Sequence, residues 1–166
     1  MKIDLNEVRI RTDLSLGDLG YIAYLHGRIY ENECNYGFSF EYYVLKGLAD
    51  LSAQYDPNKD CVWICEHKGT IIGSVAGLYR EECFQLRFFI LLPQYRGLGL
   101  GKKLLSLFLS FMKEKNYKKS FLWTTDEQRE ACSLYQRFGF RLTEEKHSKT
   151  FGKPLTEQRY DLNLPI

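Results

Sequence analysis

Apolar and polar residues alternate from Val8 to Thr12, the pattern of a half-buried strand. After a turn over Asp13 to Gly17 the period changes. Leu19, Ile22, Ala23, Leu25, Ile29 and Tyr30 recur on one face of a helix predicted from Asp18 to Glu33. A loop through Asn35 to Ser39 leads to a second helix from Phe40 to about Gln54, with Ser39 as its cap and Tyr55-Asp-Pro-Asn58 as its stop. Three strands follow, Cys61 to Cys65, Ile71 to Tyr79 and Cys83 to Leu92. Turns at His67 to Thr70 and Arg80 to Glu82 separate them and Pro93 ends the last, so they read as an antiparallel meander. Leu104, Leu105, Phe108, Phe111 and Met112 return to helical spacing as far as Asn116. Ser120 to Thr124 reads as a strand, Gln128 to Phe138 as a helix closed by Gly139, and Phe140 to Lys146 and Thr156 to Leu164 as two final strands. The order β-α-α-β-β-β-α-β-α-β-β predicts a mixed, mainly antiparallel α/β sheet flanked by helices.

No repeat, low-complexity run or Pro/Gly-rich linker divides residues 1–166, which therefore read as one domain. A 45% hydrophobic and 27% charged composition belongs to a chain with a true core. Twenty-three basic against 21 acidic residues leave +2, too even for a dedicated nucleic-acid binder. The longest apolar run, Phe88 to Leu92, is far too short to span a membrane. The N-terminus alternates charged and apolar residues without a secretory core, which predicts a cytoplasmic protein. Its five cysteines (34, 61, 65, 83 and 132) form no CxxC pair, and the histidines at 26, 67 and 147 add no metal spacing. Buried free thiols are the expectation, and no metal site.

The informative segment is Pro93-Gln-Tyr-Arg-Gly-Leu-Gly-Leu-Gly-Lys-Lys103, between a strand and a helix. Glycines there allow sharp turns that gather backbone N–H groups, and the next helix adds its free N–H groups and positive dipole end. Such a concavity suits a pyrophosphate. A Walker loop requires GxxxxGK[S/T], but Arg stands at 96 and Lys103 follows Lys102. A dinucleotide fingerprint requires GxGxxG, whereas Gly97, Gly99 and Gly101 run GxGxG after a meander strand.

The segment instead resembles the acyl-CoA loop of the GNAT superfamily of N-acetyltransferases, [R/Q]xxGxG[G/A]. It fits twice, from Gln94 through Gly97 and Gly99, and from Arg96 through Gly99 and Gly101. Ala131-x-x-Leu-Tyr135-x-x-Phe-Gly-Phe140 also resembles the family pattern, at the expected distance. Gly17 to Tyr21, His26-Gly27, Tyr30, Glu33, Leu122 to Thr124 and Phe151-Gly152 are similar to bacterial GNAT domains that follow a MarR-type winged helix. The resemblance spans nearly the whole chain. It implies a GNAT-like sheet, acetyl-CoA as cosubstrate and an amine of a small molecule or protein as acceptor. A homodimer through the final strands is compatible with it, and so is a non-catalytic acyl-CoA sensor.

Carried over residue by residue, the amides of Arg96, Gly97, Leu98, Gly99, Leu100, Gly101 and Lys102 would hold the CoA pyrophosphate. Arg96 and Lys102 either add charge near it or are solvated loop cations. The backbone of Phe89, Ile90 and Leu91 would splay from its neighbour and pair with pantetheine, and Gln128 replaces an asparagine that touches pantetheine in relatives. Tyr135 matches the tyrosine that protonates the departing thiolate, unless it is a core aromatic. An alkyl amine with pKa near ~10 must lose a proton before it attacks. The family glutamate of the third meander strand is missing here, where Gln85 and Arg87 stand. Glu33 is the alternative base, on one helix face with His26 and Tyr30, or it is a solvated helix-end carboxylate. His26 reads as a packing histidine, and most tyrosines and phenylalanines between Tyr21 and Tyr43 as core.

Overall fold

A computed structural model describes residues 3–165, so Met1 and Lys2, where the N-terminal reading begins, and Ile166 lie outside the described residues. The elements follow the predicted order. They are β1 (Val8–Arg11), α1 (Asp18–Cys34), α2 (Phe38–Gln54), β2 (Cys61–His67), β3 (Thr70–Arg80), β4 (Cys83–Leu91), α3 (Leu100–Glu114), β5 (Lys119–Thr125), α4 (Arg129–Arg137), β6 (Arg141–Ser148) and β7 (Leu155–Asn163). The strands form one sheet in the order β1-β2-β3-β4-β5-β7-β6. Neighbours are antiparallel except β4 and β5, which run parallel.

Both faces of the central strands are covered. Trp63, Phe84 and Leu122 pack with Leu104, Leu105, Phe108 and Met112 of α3, while Val62, Ile64 and Leu78 pack with Ile22 of α1 and Val44, Leu48 and Leu51 of α2. This explains the unbroken apolar run in β2, whose successive side chains enter opposite cores. A buried ion pair fastens the rim. Arg11 of β1 donates to both carboxylate oxygens of Asp18, at 2.8 and 2.9 Å, and to Glu66 of β2 at 2.8 Å. The guanidinium holds Asp18 below the usual carboxylate range.

Two boundaries differ from expectation for a local reason. Ser39 does not cap α2: the helix starts at Phe38, the cap position is the extended Gly37, and the Gly37 N–H donates to the Phe151 carbonyl at 3.2 Å. β2 runs through His67, so the hairpin narrows to Lys68-Gly69, both in the left-handed region. His67 is kept in the strand by its ring contacts with Tyr95 Oη at 2.7 Å and Glu7 Oε2 at 3.2 Å. Of the five free cysteines, Cys34, Cys61, Cys65 and Cys132 are buried but Cys83, at the hairpin mouth, is only half-buried. Among the described residues no group of three or more His, Cys, Asp or Glu is arranged to hold a metal, and no helix is long and apolar enough to cross a membrane.

Gly77 makes the tightest contact between β3 and the α3 core. A Cβ there would stand 2.1 Å from Phe84 Cζ and 3.0 Å from Phe108 Cε2, so the Phe84 ring lies directly on the glycine. Gly77→Ala should therefore cost about 1–3 kcal/mol by overpacking, read as a lower urea midpoint with an unchanged slope.

Candidate active site

The site begins where the sheet stops being continuous. β4 and β5 pair only at Phe84–Ser120 and Gln85–Phe121, and beyond these residues they part. A bulge accompanies the parting: pairing with β3 slips between Ser74–Ile90 and Ala76–Arg87, and Phe88 adopts φ +50. The buried Ser74 hydroxyl donates to the Phe88 carbonyl at 2.8 Å and pins the distortion. Two consecutive side chains, Arg87 and Phe88, thereby face the α1–α2 layer, while Phe89 joins the opposite core. The gap opens into a cleft bordered by β4, β5, α1, α2, Gln128, Tyr135 and Phe151.

At the end of β4 the chain turns through Pro93–Tyr95 into the glycine segment. Gly97 and Gly99 take φ +72 and +89, and a Cβ on either would meet nothing within 4 Å. Their need for glycine is conformational, and the space above them is open. Among the described residues the N–H groups of Gly97 through Lys102 have no hydrogen-bond partner, and no side chain caps α3. Six free amides at a helix N-terminus fit the pyrophosphate of a CoA thioester. Gly101 differs, since it lies inside α3 and a Cβ there would sit 3.4 Å from Leu134 and 3.6 Å from Phe89, so it serves close packing. Leu100 is buried, whereas Leu98 on the loop and Lys102 in the first turn of α3 are exposed.

Arg96 points away from the loop. Its Nε donates to the Leu91 carbonyl at 3.1 Å and its Nη1 to both oxygens of Glu33, at 2.8 and 3.0 Å. Glu33 is thus bound to the loop's base and does not line the cleft. Ile90 and Leu91 are buried beside Ser74 and Gly73 and connect the cleft to the loop without bordering it. Phe89, Gln128 and Tyr135 do come together on its wall. Gln128 Nε2 donates to Cys34 Sγ at 3.2 Å, joining α4 to the end of α1.

Tyr135 is 5% exposed, with its ring near Phe89, Phe140 and Tyr160. Its hydroxyl has no partner among the described residues and borders the cleft. Burial, then the neighbouring Tyr30 phenol, push its pKa well above the ordinary tyrosine value, so it remains a proton donor at neutral pH. His26 is more than packing. Its Nδ1–H donates to the Ile22 carbonyl at 2.8 Å, so the neutral ring carries its free lone pair on Nε2, and the residue lines the cleft. Burial, with the Arg87 charge adding to it, pulls His26 down to about 4. Ser74 and the clasp in which Tyr36 and Lys153 both bond Glu127 were not singled out from sequence. The Phe151-Gly152 motif is explained: Gly152 takes φ +88 at the turn beside Phe151, whose ring lines the cleft.

A parted parallel pair, a glycine loop feeding a helix N-terminus and a buried phenol at the gap define an acyl-CoA-binding α/β fold. The model of the acetyltransferase (GNAT) family matches residues 27–140, and the chain belongs to that family. It is 35% identical over 102 residues to N-acetyltransferase family 8 member 2 of Rattus norvegicus, covering 58% of this chain and 45% of that protein. The chain spans roughly half the length of the curated relatives it matches. A Streptococcus agalactiae acetyltransferase structure superposes with TM-score 0.75 at 19% identity, over 95% of this chain and 99% of its own. An acetyltransferase from Salmonella typhimurium solved with its cofactor acetyl-CoA gives TM-score 0.73 at 17% identity, over 96% and 95%. The chain accordingly carries the seven-stranded sheet of a GNAT-family domain.

Gly99→Val should weaken acetyl-CoA binding at least 10-fold by calorimetry while the fold persists, because it strains a positive φ and fills open space above free amides. His26 yields a stability prediction. Its folded pKa lies below the unfolded value near 6.5, so the unfolded chain binds the extra proton as pH falls from 6.5 towards 4. Wild type should lose roughly 3 kcal/mol relative to His26→Gln across that window and none above it, measured by denaturant titration at several pH values.

Proposed function

We propose that the chain moves an acetyl group from acetyl-CoA to an amine of a small molecule or protein. The observation that carries this reading is the Tyr135 phenol, buried, unpartnered and bordering the cleft into which the parted strands open. When bound, acetyl-CoA supplies an activated thioester. The amides of Gly97 to Lys102 would bind its pyrophosphate, with Lys102 free to add charge, and the edge of β4 left unpaired by β5, from Phe89 through Ile90 to Leu91, would run beside the pantetheine, near Gln128. Tyr135, kept protonated by burial, would deliver its proton to the departing sulfur.

The amine's proton needs another route. Glu33 holds Arg96 with both oxygens and would have to release it to act as a base. His26 Nε2 is the acceptor that borders the cleft. With its pKa pulled to about 4 it cannot retain a proton taken from an alkyl amine. It can accept a hydrogen bond from the amine once solvent has taken the proton, and so orient the attacking lone pair. The five free cysteines accord with a cytoplasmic setting, and the exposed edge strand β6 is the surface a homodimer would use.

An assay of free thiol released from acetyl-CoA across a broad panel of amines tests the reaction. Acetyl-CoA binding without release from any amine would replace the enzyme by an acyl-CoA sensor, the role expected of domains akin to those joined to MarR-type regulators. With an acceptor in hand, Tyr135→Phe should lower kcat by about 10²–10⁴ while the melting temperature and acetyl-CoA affinity move little. Near wild-type kcat in the Phe variant, where chemistry limits the rate, would remove Tyr135 from the mechanism.

A further inference from the structure

Arg87 has no counterpart in the chemistry above. It stands on β4 just before the bulge, and it lines the cleft together with His26, Tyr43 and Phe88. Its guanidinium lies 4.6 Å from the Phe88 ring centre and 5.4 Å from that of Tyr43, an orientation fixed by two cation–π contacts. Among the described residues no carboxylate lies within ion-pair distance and no acceptor takes any of its N–H groups, as also holds for Arg9, Arg129, Arg137 and Arg141, but of these five only Arg87 lines the cleft. None of its nitrogens is sealed from solvent.

The neighbouring helix is cut to fit this side chain. Gly47 lies in the middle of α2, where glycine costs about 1 kcal/mol relative to alanine. A Cβ at that position would stand 2.5 Å from Arg87 Nη2 and 2.9 Å from Nη1. The glycine leaves room for the guanidinium, and the bulge held by Ser74 aims it. A planar fork of free donors in an aromatic setting matches a carboxylate.

Resting on the acetyl-transfer reading, we propose that the acceptor is a small amino acid-like amine whose carboxylate is bound by Arg87. The carboxylate end would sit against β4 and α2, with the amine directed towards His26 Nε2 and the parted strands. The same cation repels an ammonium group, which favours the neutral, nucleophilic amine and disfavours polyamines.

The test uses L-amino acids and ω-amino acids of three to six carbons, each beside its carboxamide, with spermidine added, and reads thiol release from acetyl-CoA. For the best acceptor the wild type should prefer carboxylate over carboxamide at least 10-fold in kcat/KM. Arg87→Gln should reduce that preference roughly 10- to 100-fold, mainly through KM, as expected for lost charge-assisted hydrogen bonds. Arg87→Lys should restore part of it. Gly47→Ala, which favours the helix, should also reduce the preference by displacing the guanidinium. Carboxamides or spermidine turned over as well as any amino acid would overturn the assignment of Arg87 and leave acetyl transfer standing. If no amine releases thiol, calorimetric titration with the same amino acids and their N-acetyl derivatives separates the two ideas. Binding to wild type that is lost in Arg87→Gln sustains the carboxylate site without the reaction, and absence of binding overturns the site too.

Discussion

The structure turns on the parting of two parallel strands. After two residue pairs β4 and β5 cease to hydrogen-bond, in the interior of a sheet where unpaired backbone groups are expensive. The distortion that accompanies the parting is local and well anchored. Phe88 occupies a left-handed conformation uncommon for an aromatic residue, and the Ser74 hydroxyl satisfies the carbonyl it displaces. The rest of the site is arranged around that gap. The glycine segment leaves from the end of β4, Tyr135 approaches from α4 on the other side, and α1 and α2 roof the opening.

Burial sorts charge along the cleft. Desolvation favours the neutral form of any titratable group, so the same cause keeps the Tyr135 phenol protonated and the His26 imidazole unprotonated. These two lining groups are consequently uncharged at neutral pH. Positive character comes from other places: six free amides and the α3 dipole lie at the glycine segment, and the unpaired Arg87 lies on the cleft wall. The Arg96–Glu33 pair withdraws a cation from the loop and ties it to α1, so a candidate anion site there rests on backbone N–H groups, with Lys102 and Lys103 in the first turn of α3.

Periodicity made the elements legible because both faces of the central strands are buried and every helix presents one apolar stripe. The misplaced boundaries have local causes. Ser39 looks like a cap by residue type, but a tertiary hydrogen bond from Gly37 to Phe151, more than a hundred positions away, decides where α2 begins. His67 resembles a turn residue until Tyr95 and Glu7 hold its ring in the strand. The site was legible where its chemistry resides in the backbone, as at Gly97 and Gly99, or in a motif residue such as Tyr135. It was hidden where it depends on tertiary pairing. Nothing near Glu33 announces that Arg96, 63 positions on, will claim both its oxygens, and nothing near Phe88 announces a positive φ.

That division has a physical basis. Holding a pyrophosphate asks for a chain path and free amides, which two glycines and a helix start provide with little dependence on the surrounding side chains. The fold around it persists through wide divergence: solved folds superpose at TM-scores of 0.73 and 0.75 despite 17% and 19% identity. The wall formed by α1, α2 and the β4 bulge works through individual side chains, in which each of His26, Tyr43, Arg87 and the missing Cβ of Gly47 changes what fits. In the proposed reaction, recognition of the acceptor would therefore lie in long-range contacts among residues that have no shared motif. The half of the cleft that would choose the amine has to be read from side chains in three dimensions, while the half that would receive the acyl donor can be read along the chain.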